Sequence, residues 1–438
     1  MKKAFALLLA LAMVFALAAC GQQAAPAPAA EAPAAEAPAA EAPAAEAPAA
    51  EAPAEPAIEP DMSYPIRIYS NSNSTERVTW LVEEAKEAGF NISLDTNEVI
   101  SGDTAAIQAA NENKDGDLIF GLNETRWSQL IKGQYENLSI IDWTPSWADQ
   151  VDYKYDGKAY GLVVQNVLML YRLDEYGTNG EKLHFAHWAD VVDSGYTWYR
   201  QNKVGGTTNM NINSAMLYPF TDPSSPAGGI SIDGWKTLWK YCAEGKYSSD
   251  DAYKYGLEPL NRGEVQIGSF YSSSLYGKID AADQSSDHPL KGTLTPENWA
   301  LVEIDDGTYY INEYIGILDK AGRTPEQTAA VEAFAEWFGS GEVQAAWGEE
   351  FDSYPCNKEA AAVLYPDGIP AIYEIPNFAM EPVAGTDLSY AEYVAAHNSE
   401  WTNIMTNLGF YWADNADAPA EPDWDSLDWA TLTQAAES

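Results

Sequence analysis

The sequence predicts an α/β fold built on a largely parallel sheet. Three observations carry this. Short runs rich in β-formers alternate with stretches of helical spacing, one run is apolar enough to be a buried strand, and polar loops join strand ends to helix starts.

Tyr64–Tyr69 alternates and reads as the first strand. The polar run Ser70–Thr75 follows. Glu76–Gly89 has the helical spacing of Val78, Leu81, Val82 and Ala85, with Gly89 as a stop signal. Asn91–Leu94 reads as a second strand and Gly102–Asn113 as a helix. Asp117–Phe120 is a short buried strand ending in the polar loop Gly121–Thr125, and Trp127–Gln134 is helical again. Open α/β sheets bind ligands beyond the carboxyl ends of their strands. Ser70–Thr75 and Asn123–Thr125 fall there, and the helix starts behind them offer free N–H groups. Each loop alone is explained by N-capping. Together they outline a binding edge.

Farther on, the turn Tyr155–Gly161 leads into the apolar run Leu162–Arg172, interrupted by Gln165 and Asn166. A long strand with one polar pair suits a segment crossing between lobes. The loop Val204–Asn209 opens a helix over Met210–Tyr218. Its paired glycines and threonines form a concavity of donors, although it lacks the P-loop pattern. Tyr390–Leu408 reads as a helix and Asp423–Ala436 as an acidic one.

The first 62 residues have a different character. Lys2 and Lys3 precede the apolar run Ala4–Ala16, which is shorter than the roughly 20 residues a spanning helix needs. A basic start and a short apolar run read as a secretory signal. Leu17-Ala18-Ala19-Cys20 matches a bacterial lipobox, so residues 1–19 are expected to be removed and Cys20 to carry a lipid. Residues 20–62 contain four EAPAA repeats and have no apolar face. Regular proline and glutamate favour an extended, disordered stalk, with a limit of roughly 130 Å at ~3.1 Å per residue.

The chain has 24 basic and 66 acidic residues, a net charge of −42. Setting aside the 2 bases and 8 acids of residues 1–62 leaves 22 against 58, or −36. Such a surface argues against nucleic acid and anionic lipid as partners. It suits solubility outside the cell and would tolerate a cationic ligand. No second apolar run is long enough to span a membrane. Beyond the lipobox only Cys242 and Cys356 remain. Export permits a disulfide between them, but a separation of 114 residues does not establish proximity. Many of the 15 Trp and 26 Tyr are expected in the core, and some excess is expected where a cleft must grip a polar ligand by its flat faces.

Catalytic signatures are missing. No GxSxG, HExxH or GxGxxG occurs. His184 and His187 have no evident third ligand for a metal. Asn111–Gly116 starts like an EF-hand loop, yet Leu122 stands where Glu is needed. The expectation is a protein without enzyme activity, cofactor or resident metal.

The order of these features resembles the ABC-importer substrate-binding proteins of the type II periplasmic-binding fold, in the subgroup of iron, thiamine, 2-aminoethylphosphonate and polyamine binders. The matching stretches are IRIYSNSNSTERVTWLVEEAKEAGFNISL, SGDTAAIQAANENKDGDLIFG, YDGKAYGLVVQNVLMLYRLDEYG, HFAHWADVV, VGGTTNMNINSAM, RGEVQIGSFYSSSLYG and DGTYYINEYIGILDKAGRTPEQTAAVEAFAEWFGSGEVQ. They cover about Ile66 to Lys358.

The resemblance implies two α/β lobes, a hinge and an interlobe ligand cleft. It divides the chain into 63–164 (lobe 1), 165–300 (lobe 2), 301–375 (return to lobe 1) and 376–438 (C-terminal helices bracing the lobes). It implies ligand contacts from Ser70, Asn71 and Ser72, and from Asn123, Glu124 and Thr125. Gln165 and Asn166 would contribute from the crossing. Gly206, Thr207, Thr208, Asn209, Ser269, Tyr271 and Ser272 would contribute from lobe 2, with Tyr309 and Tyr314 near the return crossing.

Phe270-Tyr271-Ser272 stands where iron binders of the subgroup carry adjacent tyrosines, and the first loop lacks histidine, which disfavours ferric iron. A cation such as thiamine or a polyamine would use Glu124 and tyrosine faces. A phosphonate would use Thr207, Thr208 and helix starts, although these loops hold no obvious arginine. The implied partners are a small-molecule solute and an ABC permease with its ATPase. The protein would be a monomer, outside the cytoplasm and on the membrane through its lipid alone. The competing readings are a surface adhesin or structural lipoprotein that binds a macromolecule, and a carbohydrate-binding importer component.

Overall fold

The computed structural model describes residues 58–155, 157–172, 182–200, 207–246, 260, 264–271, 299–351, 353–368, 375–410 and 420–435. Cys20 and the stalk lie outside them, apart from the last residues 58–62.

In the first half, β1 (Pro65–Ser70), α1 (Thr75–Glu87), β2 (Asn91–Ser93), α2 (Asp103–Asn113), β3 (Leu118–Leu122) and α3 (Glu124–Ile131) follow one another. β4 (Lys154–Tyr155) and the 14-residue β5 (Ala159–Arg172) come next. Then follow β6 (His184–Phe185), β7 (Trp198–Tyr199), α4 (Thr207–Leu217), α5 (Ile232–Glu244), β8 (Ile267–Tyr271), β9 (Trp299–Leu301) and β10 (Glu303–Ile304). The return strand β11 (Tyr310–Ile317) leads to α6 (Pro325–Phe338), α7 (Gly341–Phe351), β12 (Tyr354–Pro355) and α8 (Lys358–Leu364). The chain ends with α9 (Tyr390–Asn407) and the single turn α10 (Trp429–Leu432).

The main sheet runs β2-β1-β3-β11-β5-β8-β7. β1 is parallel to β2 and β3, as expected, whereas β11 is antiparallel to both β3 and β5. The sheet is therefore mixed. β11 comes back across the molecule, and antiparallel pairing lets it insert between β3 and β5 without a helical crossover.

Strand β5 serves both halves. Tyr160–Asn166 pairs with β11, and Val167–Tyr171 pairs with β8. Its apolar, β-branched sequence supports so long a strand. Its side chains alternate between two cores: Leu168 and Leu170 enter one, and Val167, Met169 and Tyr171 the other. β1 and β3 also bury both faces. Ile66, Ile68, Leu118 and Phe120 pack toward Phe334, Phe338 and Trp347, while Tyr69, Ile119 and Leu122 pack with Ile107 and Trp127. Each such apolar side chain contributes roughly 1.5–3 kcal/mol through removal from water.

Several boundaries differ from the sequence expectation for a local reason. Ser74 and Asn123 accept hydrogen bonds from the backbone N–H of Arg77 and Arg126, so α1 and α3 begin immediately after them. Glu124 and Thr125 thus lie in a helix instead of a loop. Thr207, Thr208 and Asn209 likewise form the first turn of α4. The acidic helix expected over Asp423–Ala436 is interrupted. A short 3-10 turn at Trp424–Ser426 is followed by extended backbone at Leu427 before α10. In an unbroken helix Trp424 and Trp429 would point about 140° apart. The break lets both enter one core with their rings stacked 6.5 Å apart.

Cys242 and Cys356 are buried in different cores and are not joined by a disulfide. Among the described residues no helix is long and apolar enough to cross a membrane.

Candidate functional site

The carboxyl ends of β1 and β3 meet at Gly121, whose φ is +75°. A Cβ there would lie 2.9 Å from both Ser70 Oγ and the Ser72 nitrogen, so only glycine lets the two loops approach this closely. The first loop is fixed by its own side chains. Ser72 N–H donates to Ser70 Oγ (2.9 Å), and Arg77 Nη1 donates to Ser72 Oγ (2.6 Å). Asn73 Nδ2 donates to the carbonyls of Asp95 and Ile100. Asn71 is half-buried beside them.

The second loop directs its residues apart. Asn123 caps α3. Glu124 is wholly buried, and its Oε1 accepts from the backbone N–H of Asn312 (3.0 Å), Asn312 Nδ2 (2.7 Å) and Tyr314 OH (3.3 Å). Burial raises its pKa to about 8, against the opposing pull of these bonds, so it is mostly protonated at neutral pH. Burial also raises the Tyr314 phenol well above its ordinary value. Glu124 therefore joins α3 to the return strand. Thr125 Oγ1 lies 3.2 Å from Tyr309 OH, the other expected tyrosine.

On the crossing strand, Gln165 Nε2 donates to Glu313 Oε1, and Asn166 is fully buried opposite Tyr310. Ser269 is buried on β8 opposite Met169, and Tyr271 stands at that strand's end opposite Val167. Gly206 and Ser272 lie outside the described residues.

A cleft collects part of this set. One wall is Asn123, Thr125 and Arg126 from the start of α3, with Asp103 from the start of α2. Met210 and Asn211 of α4 face them. Val394, Asn398 and Thr402 of α9 form the third side. Of the expected residues, Asn123 and Thr125 line this cleft, and Thr207–Asn209 occupy the turn of α4 just before Met210.

The charged pair in the lining was missed from sequence. Arg126 follows the Asn-Glu-Thr loop directly, and its Nε lies 3.3 Å from Asp103 Oδ2. Its terminal nitrogens donate to Gln129 Oε1 (2.9 Å) and Thr104 Oγ1 (2.7 Å). Asp103 was visible only as part of the helix expected over Gly102–Asn113.

The helix of the third wall was expected over Tyr390–Leu408, but nothing local in the sequence placed it at the site. α9 is tied to α4 and its neighbours by Tyr390 OH to the Ser214 carbonyl (2.6 Å), Tyr393 OH to Gly229 (2.7 Å) and Trp401 Nε1 to Gly228 (2.7 Å). It also packs against α3, where Lys132 and Glu392 form an ion pair of 3.2 Å.

Comparison with known proteins agrees with this architecture. Residues 80–376 match the family of bacterial extracellular solute-binding proteins, and the chain belongs to that family. A probable ABC transporter periplasmic-binding protein, y4fP of Sinorhizobium fredii, is 25% identical over 308 residues, covering 69% of this chain and 77% of the relative. Among solved structures, ferric iron-binding protein A of Mannheimia haemolytica in an open conformation superposes with a TM-score of 0.54 at 13% identity, covering 79% of this chain and 98% of that one. The Atu4243 GABA receptor superposes with a TM-score of 0.51 at 14% identity, covering 77% and 95%. At these identities the structural likeness shows the two-lobed periplasmic-binding fold and leaves the solute open.

Proposed function

We propose that this protein is the capture component of an ABC importer. It is tethered outside the cell by a lipid on Cys20 and takes a small polar organic solute into the cleft between α2, α3, α4 and α9 for delivery to a permease. The observation that carries the reading is the composition of that cleft. Side-chain amides, hydroxyls and one fixed arginine converge from three directions at the helix starts beyond the sheet. The y4fP relative supports the link to an importer. Arg126 supplies the arginine that a phosphonate-like solute calls for, so that candidate gains over thiamine or a polyamine.

Ferric iron is the second reading, because the Mannheimia neighbour binds it. Among the described residues no group of three His, Cys, Asp or Glu is placed to hold a metal, and Asp103 is committed to Arg126. The test is a thermal-shift screen with phosphonates, thiamine, polyamines, ferric citrate and sugars. A shift with an organic solute supports the proposal, and a shift with ferric citrate alone replaces it with the second reading. Tight binding to a wall or host polymer, with no shift from any small solute, overturns the transport role.

A further inference from the structure

We infer that the protein carries a second ligand site, apart from the cleft, where the end of α3 meets the start of α9, and that this site takes a small organic anion with an apolar body.

A cavity of about 410 Å³ lies there, within the size range of small-molecule pockets. Ser128 and Ile131 of α3, with Lys132 just beyond, form one side. Lys154 and Tyr155 of β4 form the second. Met380, with Ser389 and Glu392 at the start of α9, forms the third. None of these residues lines the cleft.

The charges set the sign of the ligand. Glu392 is the acid of the described lining, and it is already engaged. Its Oε1 lies 3.2 Å from Lys132 Nζ, and its Oε2 accepts from the Ser389 N–H (2.8 Å) and hydroxyl (3.1 Å). Lys154 is held far less firmly. Its Nζ lies 3.8 Å from Asp149, whose side chain is 99% exposed, so water screens that contact. Two lysines against one glutamate make the described lining net positive, within a chain of net charge −42. An anion can therefore meet Lys154 without stripping a buried carboxylate of its partner.

Two more side chains set the rest of the ligand. Met380 is 42% exposed, one of the few large apolar side chains left so open among the described residues. With Ile131 it gives the cavity an adaptable apolar wall. A bare inorganic anion would leave both side chains uncovered and most of the volume empty. Ser128 is fully buried against the cavity, and its hydroxyl has no hydrogen-bond partner among the described residues. A helical serine often bonds back to the carbonyl one turn earlier, and a buried hydroxyl without a partner is costly. A carboxylate oxygen supplies the missing acceptor.

The test is calorimetric titration of the full chain with octanoate and 4-phenylbutyrate, against their uncharged amides and inorganic phosphate. At least one carboxylate is expected to bind one to one, about tenfold or more tightly than its amide and than phosphate. Lys154→Gln is expected to weaken it about tenfold and to remove its advantage over the amide. Met380→Ser is expected to weaken it severalfold. Both positions are substantially exposed, so both variants should fold as the parent does. Asn398→Ala, in the cleft, is expected to leave the affinity unchanged. The inference is overturned by the absence of saturable binding, by equal affinity for carboxylate and amide, or by phosphate binding as tightly as either carboxylate. Indifference to Lys154→Gln also overturns it. So does a loss with Asn398→Ala as large as that with Lys154→Gln, because the anion would then sit in the cleft. Each of these results leaves the solute-capture reading standing.

Discussion

The hydroxyl groups of Thr125 and Tyr309 lie 3.2 Å apart, joining the first turn of α3 to the residue just before the return strand. Both residues are buried, so the bond bridges the α3 side of the cleft and the core beneath α9. Thr125→Val and Tyr309→Phe each remove one partner and are expected to cost about 1 kcal/mol in chemical denaturation. The double variant should cost less than the sum, with a coupling of at least ~0.5 kcal/mol. Strict additivity would show that the two hydroxyls do not interact.

Glu124 predicts a pH dependence. Its folded pKa of about 8 lies above the ordinary 4.5, so the folded state binds the proton more tightly. This stabilisation is complete below pH 4.5 and is lost as pH rises through 8, amounting to on the order of 4 kcal/mol. Glu124→Gln keeps an acceptor for Asn312 and Tyr314 without the ionisation. Its melting temperature should match the parent at pH 5 and exceed it at pH 9. Parallel profiles for the two proteins would contradict the assignment.

Two histidine–aspartate pairs add to the same slope. His184 Nε2 lies 2.8 Å from Asp305 Oδ1, and His187 Nδ1 lies 2.9 Å from Asp306 Oδ2. Hydrogen bonding to the aspartates raises both histidine pKa values. Burial raises Asp306 in turn, an effect that its bond to His187 partly offsets. The histidine contribution is present below the unfolded value near 6.5 and disappears as pH rises through the folded values. Replacing both histidines with glutamine should flatten the melting-temperature profile between about pH 6 and 8. Retention of the full slope would exclude these pairs as its source.

Gly307 should resist substitution. Its φ is +86°, and a Cβ would come within 2.2 Å of the Pro376 carbonyl oxygen. Its own carbonyl accepts from Trp188 Nε1 at 2.8 Å. Gly307→Ala combines left-handed strain with a backbone clash and should cost roughly 2–4 kcal/mol in denaturant melts. A loss under ~0.5 kcal/mol would show that the turn relaxes freely.

Apart from the two-residue β4, which was read into a turn, the strands and helices through β5 were legible because their signals are local: alternation in β1, helical spacing in α1 and α2, and the apolar run of β5. The polar interruption at Gln165 and Asn166 does fall where β5 passes from one set of partners to the other. The site was less legible. Glu124 was read as a charge facing the ligand because a sequence does not reveal that Asn312 and Tyr314, some 190 residues away, would enclose it. Arg126 was passed over because it sits within the first turn of α3, just past the loop that drew attention. Asn398 and Thr402 reach the cleft through packing of α9 against α3, which no local pattern announces.

The two unlinked thiols bear on where such a protein can work. Cys242 and Cys356 sit in separate cores, and neither half depends on a covalent bridge between them. Folding after export therefore requires no oxidant and no disulfide-shuffling catalyst.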